Sequence, residues 1–166
     1  MKIMLDVETL GSSPGSVICA VGAVAFGQGK ITAEFYQRVD PEDCARHGLR
    51  IEASTVLWWM RQNDEARSEL CRPGLPLLTV LTEFAAWLGD GNKAEIWGNG
   101  ASFDQPILDA AYRACALTTP WVYYNCRCYR TIKAIYPEIV APKNAHNALE
   151  DARNQANHLM QLMPGL

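Results

Sequence analysis

Residues 17–27, Val-Ile-Cys-Ala-Val-Gly-Ala-Val-Ala-Phe-Gly, form a nearly continuous apolar run without a single charge. A run of this kind suits a strand buried on both faces. That demand puts a sheet in the middle of the fold, with cover on each side. Gly11 to Gly15 (Gly-Ser-Ser-Pro-Gly) reads as the turn before the run, and Gly27-Gln28-Gly29 as the turn after it. Residues 31–39 follow, with Ile31, Ala33, Phe35 and Val39 expected on one face and Thr32, Glu34 and Arg38 on the other. This alternation predicts a half-exposed antiparallel strand closing a hairpin. The apolar segment at the start, Lys2-Ile3-Met4-Leu5-Asp6-Val7-Glu8-Thr9, reads as a strand too, so three strands come first as a meander.

Helices and strands then alternate. Residues 53–62 and 63–71 read as two short helices, the second opened by Asn63 with Asp64 and Glu65 in its first turn. Pro76 suits the first turn of a helix reaching Leu88 and stopped by Gly89. A fourth strand is expected at 94–97, a helix at 104–117, a fifth strand at 121–124 and a helix ending near Tyr136-Pro137. The final helix is expected from Asn147 to Met163, with Leu149, Ala152, Ala156, Leu159 and Met163 as its core face. The pattern predicts an α/β protein with a mixed five-stranded sheet: a three-stranded antiparallel meander plus two parallel strands, flanked by helices. With 166 residues the chain fits one domain, taken as 1–166.

The first strand contains a conflict. Side chains two apart on a strand share a face, so Asp6 and Glu8 aim at one spot from a segment expected to be buried. Buried like charges repel, and each also loses hydration. A raised pKa, a basic partner or a bound cation would each relieve them, and a divalent metal would turn the arrangement favourable.

Other residues could complete such a site. Asp104 ends Trp97-Gly98-Asn99-Gly100-Ala101-Ser102-Phe103-Asp104, between a strand and a helix. Taken alone it reads as a helix cap. Asp151 lies one turn into the last helix and His146 just before it. Alone, these read as a stabilising N-terminal acid and a solvated loop histidine. Together, four carboxylates can hold two divalent ions, and oxygen donors select Mg²⁺ or Mn²⁺. A neutral His146 could accept the proton of an attacking water.

The net charge of −3 argues against long duplexes held on a broad basic surface, but is compatible with a small nuclease whose metals neutralise phosphates locally. Six scattered cysteines form no pair of zinc-binding motifs. No apolar stretch is long enough to span a membrane, and the start lacks a signal-peptide layout, so a cytoplasmic protein is expected.

Leu5-Asp6-Val7-Glu8-Thr9, the segment from Trp97 to Asp104, and His146-Asn147-Ala148-Leu149-Glu150-Asp151-Ala152 resemble the three motifs of the DEDDh 3′–5′ exonucleases, which have a ribonuclease-H-like fold. The resemblance spans positions 5 to 160. Trp58-Trp59 and the Trp97–Asp104 string point to the small phage and bacterial branch, prophage enzymes among them, that is similar to the mycobacterial-type exoribonuclease. The resemblance implies that Asp6 bridges two metals, that Glu8 and Asp151 complete the one activating water, that Asp104 serves the one beside the leaving 3′-oxygen, and that His146 is the general base. Leu10 falls where the family wedges against the terminal base. Thr9, Phe103 and one of the tryptophans, taken as Trp59, would hold the last nucleotide. The implied substrate is single-stranded nucleic acid, DNA or RNA, with a free 3′ end. The implied product is a nucleoside 5′-monophosphate. The branch also implies a homodimer. The competing readings are a non-catalytic nucleic-acid-binding or regulatory module on the same fold, and a related endonuclease or integrase-like enzyme.

Overall fold

The computed structural model describes residues 1–143 and 145–165. Its centre is a five-stranded sheet in the order β3-β2-β1-β4-β5. Here β1 is Lys2–Thr9, β2 Ile18–Gly27, β3 Lys30–Arg38, β4 Glu95–Gly98 and β5 Cys126–Cys128. The first three strands pair antiparallel, and β1, β4 and β5 run parallel. The meander and the two parallel strands are therefore present as expected.

Seven helices decorate the sheet among the described residues: α1 Pro41–Arg46, α2 Ala53–Trp59, α3 Asp64–Leu70, α4 Leu77–Leu88, α5 Asp104–Ala114, α6 Tyr129–Ile135 and α7 Ala148–Leu162. Local signals set several boundaries. The Asn63 side chain caps α3 by accepting from Ala66 N–H, and Asn147 caps α7 by accepting from Glu150 N–H. Gly89 ends α4 with φ of 66°, a left-handed conformation. None of these helices is long and apolar enough to cross a membrane.

The two sheet faces pack differently. On one, Ile3, Leu5, Val7, Val21, Ala23 and Ile96 meet α4 and α5 through Leu81, Phe84, Ile107 and Leu108 in a hydrophobic core. On the other, Met4, Val24, Phe26 and Trp97 meet α6 and α7 through Tyr129, Ala152, Ala156 and Leu159.

Four expectations need correction. The fifth strand is Cys126–Cys128 rather than 121–124. Trp121 instead packs edge-on against Phe84 and Tyr112, while Tyr123 and Tyr124 lie exposed in a 3-10 turn. The β2–β3 register shifts between Ala25 and Phe26, so β3 carries one extra residue there. That bulge sends Ile31 to the α7 face while Phe35 stays on the opposite one. The deepest stripe of α7 is Ala148, Asp151, Ala152, Gln155, Ala156, His158, Leu159 and Leu162, with Leu149 and Met163 at its margins. Apolar periodicity finds Ala152, Ala156 and Leu159 but not the polar members Asp151, Gln155 and His158. Helix α1, opened by Asp40 and Pro41, was not expected.

Candidate active site

The site forms where β1 and β4 splay apart. Their parallel pairing runs from Lys2–Glu95 to Met4–Trp97, and β4 ends at Gly98. Beyond that point the edge of β1 is free. Crevices of this kind, at the carboxyl ends of strands where the order reverses, are the usual binding sites of open α/β sheets. Asp104 fills the gap. One carboxylate oxygen accepts from Val7 N–H of β1 (3.3 Å), and the other from Asn99 N–H just after β4 (2.8 Å). Gly98 permits this, since a Cβ there would lie 2.8 Å from Asp104 Oδ2.

Asp6 and Glu8 follow Met4 on the face covered by α7. Opposite Asp6 in the antiparallel ladder is Gly22. A Cβ on Gly22 would lie 2.2 Å from the Ala148 backbone carbon. The missing side chain lets the start of α7 rest directly on β2, and that brings Asp151 beside the β1 carboxylates. Oxygens of Asp6, Glu8 and Asp151 all lie within 4.8 Å of one another. Asp151 accepts from Ala145 N–H (2.7 Å) and His146 N–H (2.9 Å), so it also fixes the loop that carries His146.

His146 has a left-handed backbone, φ of 57°, and its ring stands edge-on to both tryptophans, 5.2 Å from Trp58 and 6.0 Å from Trp59 between centroids. Trp59 is buried and donates its indole N–H to Thr9 O (2.8 Å), bracing α2 against the end of β1. Trp58 is 43% exposed.

Charge is poorly compensated here. Burial, then the like charges of Asp104, Glu8 and Asp151, holds Asp6 well above the usual carboxylate range, against a hydrogen bond from Gln155. Burial and neighbouring carboxylates push Glu8 up to about 8. Burial lifts Asp104 to about 7, although the backbone N–H groups of Asn99, Val7 and Asp104 itself and the Arg130 charge pull it down. Asp151 is raised by burial, opposed by the N–H groups of Ala145 and His146. Clustered oxygen donors with uncompensated negative charge are what a hard divalent cation binds. Asp6, Glu8 and Asp151 therefore fit such an ion by both chemistry and position, and Asp104 adds a fourth carboxylate to the same cavity.

All five motif residues line one cavity of about 440 Å³, with Thr9, Phe103, Trp58 and Trp59. Leu10 is not among its lining residues: partly buried, it packs against the core beneath α4 and α5. Residues not singled out from sequence also line it, notably Ser12, Ser54, Thr55, Asn99 and Arg130. Arg130 lies two residues past β5. Placing that strand at 126–128 would have put Arg130 at the strand's carboxyl end, where sites of this fold gather.

Residues 1–163 match the family of the 3′–5′ exoribonuclease Rv2179c-like domain. An exodeoxyribonuclease of Enterobacteria phage T4 is 24% identical over 63% of this chain and 52% of its own length, so the chain spans about half of that relative. Among solved structures, the nuclease domain of 3′hExo, a DEDDh family member bound to rAMP, superposes with a TM-score of 0.64 at 14% identity, covering 98% of this chain and 91% of that one. Exonuclease X in complex with 5′ overhanging duplex DNA gives 0.61 at 17%, covering 99% and 92%. At these identities the superpositions establish the fold: the mixed sheet and its flanking helices are those of the ribonuclease-H-like exonucleases.

Proposed function

The chain belongs to the 3′–5′ exoribonuclease Rv2179c-like domain family, and from that membership we propose that it is a metal-dependent exonuclease releasing nucleoside 5′-monophosphates from the free 3′ end of single-stranded RNA or DNA. The observation that carries this reading is the meeting of Asp6, Glu8 and Asp151 within 4.8 Å, in one cavity with Asp104 and His146.

Asp6, Glu8, Asp104 and Asp151 would hold two divalent ions, Mg²⁺ or Mn²⁺, with Asp6 shared between them. Bound there, such ions supply Lewis-acid chemistry: water ionises more readily and charge growing on the phosphate is neutralised. Asp104, which stands outside the tight group formed by the other three, would serve the second ion. His146 takes a proton from the attacking water. The water oxygen bonds to phosphorus as the bond to the 3′-oxygen of the preceding nucleotide breaks, and that oxygen leaves protonated by solvent. Thr9 and Phe103 line the space for the terminal nucleotide. Trp58 serves as the stacking surface, because Trp59 is 4% exposed and committed to Thr9. A cavity of about 440 Å³ suits one nucleotide. The same reading includes a homodimer, for which sedimentation at micromolar concentration is the check; a monomer would remove it.

The test is degradation of 5′-labelled RNA and DNA oligomers with Mg²⁺ or Mn²⁺. A ladder shortening one nucleotide at a time, abolished by chelator, is the expected result. Cleavage of a covalently closed circle would overturn it.

A further inference from the structure

Gln155 is buried, 4% exposed, on the α7 stripe that faces the sheet, one helical turn beyond Asp151. Its Nε2 donates to Asp6 Oδ1 at 2.7 Å. Among the described residues this is the only side-chain hydrogen bond made by Asp6, which stands amid Glu8, Asp104 and Asp151. The other end of the amide, Oε1, is buried and has no partner among the described residues.

Packing does not account for a glutamine here. Its helical neighbours on the stripe are Asp151, Ala152, His158 and Leu159. The two polar ones bond elsewhere, Asp151 to the N–H groups of Ala145 and His146 and His158 to Tyr129, so methionine or leucine would fill the place without stranding a polar oxygen. The amide's orientation is not arbitrary either. With Asp6 ionised, turning it over would set two oxygens against each other at 2.7 Å. A lysine or arginine could also reach a carboxylate, but its charge would compete with the cation that the cluster is built to hold. A neutral donor orients Asp6 without cancelling its charge.

We propose that Gln155 is a positioning residue that fixes the Asp6 carboxylate, and through it the affinity of the carboxylate cluster for divalent metal. This rests on the metal-dependent reading above. Gln155 occupies one oxygen of Asp6 from the helix side and leaves the other free toward the cavity. Without it, repulsion from three neighbouring carboxylates turns Asp6 away from the shared position. Groups that hold metal ligands in place in this way change metal affinity by about 10–100-fold when removed.

The experiment is calorimetric titration of Mn²⁺ into the full chain and its Gln155→Met variant, with melting temperature in chelator and steady-state kinetics on the same samples. Gln155→Met should melt no lower than wild type in chelator, bind Mn²⁺ about 10–100-fold more weakly, keep its KM for the oligonucleotide, and recover most of kcat at high Mn²⁺. A folded variant with wild-type Mn²⁺ affinity overturns the proposal while leaving the exonuclease reading intact. A wild-type chain that binds no Mn²⁺ takes down both. Should the variant fail to fold, NMR of the wild type decides: the Gln155 side-chain amide signal should shift as Mg²⁺ is added, and an unmoved signal overturns the inference.

Discussion

Ile3, Leu5 and Val7 alternate along β1 with Met4, Asp6 and Glu8, yet the two sets live in different media. The first set is sealed against α4 and α5 in an uninterrupted hydrophobic core. The second begins in a smaller apolar cluster at Met4. One pleat later it becomes a carboxylate floor beneath α7, where Asp151, Gln155 and His158 are buried too. One face of a single strand gathers stability, and the other gives some of it up to hold charge in place. The period of two makes this possible, because each face can be specified without disturbing the other.

The largest effect is expected of Asp6→Ala. Mononucleotide release should fall below detection. In chelator, the melting temperature should hold or rise, because a desolvated carboxylate among three like charges has been removed. Loss of both activity and stability would mean that the two faces are not separable. Next in size is His146→Ala, with a rate loss of about 10²–10⁴-fold at neutral pH. Hydroxide should partly replace the base, so the deficit should narrow in alkaline buffer. A pH–rate profile parallel to wild type would remove His146 from the proton-accepting role. Leu5→Ala probes the opposite face. It should cost about 2–5 kcal/mol of stability by denaturant unfolding, and leave the rate per folded molecule unchanged, since Leu5 lies on the far side of the sheet from the site.

The site was more legible in the sequence than the packing around it. Strand alternation turns the spacing of Asp6 and Glu8 into a shared direction, and the capping Asn147 fixes where α7 starts, so Asp151 falls in its first turn. These are local rules. The missing parts depend on partners distant in the chain. Trp121, Tyr123 and Tyr124 have high strand propensity, but Trp121 serves the α5 core and the two tyrosines stay in solvent. Gln155 and His158 look like surface residues until Asp6 and Tyr129, 149 and 29 positions away, are placed against them. Gly22 in β2 looks like one small residue in an apolar run. Its purpose emerges only when the Ala148 backbone is found on top of it.

The smallest expected effect is that of pH on the metal-free protein, because Glu8 is only partly buried and nearby water screens its charge. Its folded-state pKa of about 8 lies above the ordinary 4.5, and that of Asp104, about 7, above the ordinary 3.8. The folded chain thus keeps protons that the unfolded chain has already released. This contribution to stability is fully present below about pH 4, near the unfolded-state values. It declines as pH rises through about 7 and 8, the folded-state values, and then levels off. Glu8→Gln isolates one of the two groups. In chelator, wild type should match the variant at low pH and melt below it in alkaline buffer. Added Mg²⁺ should close that gap for wild type only, since a cation takes over the work of the lost protons. A difference that does not change with pH would mean that Glu8 is solvated like any surface acid, and the charged face of β1 would then carry no cost for its neighbour to offset.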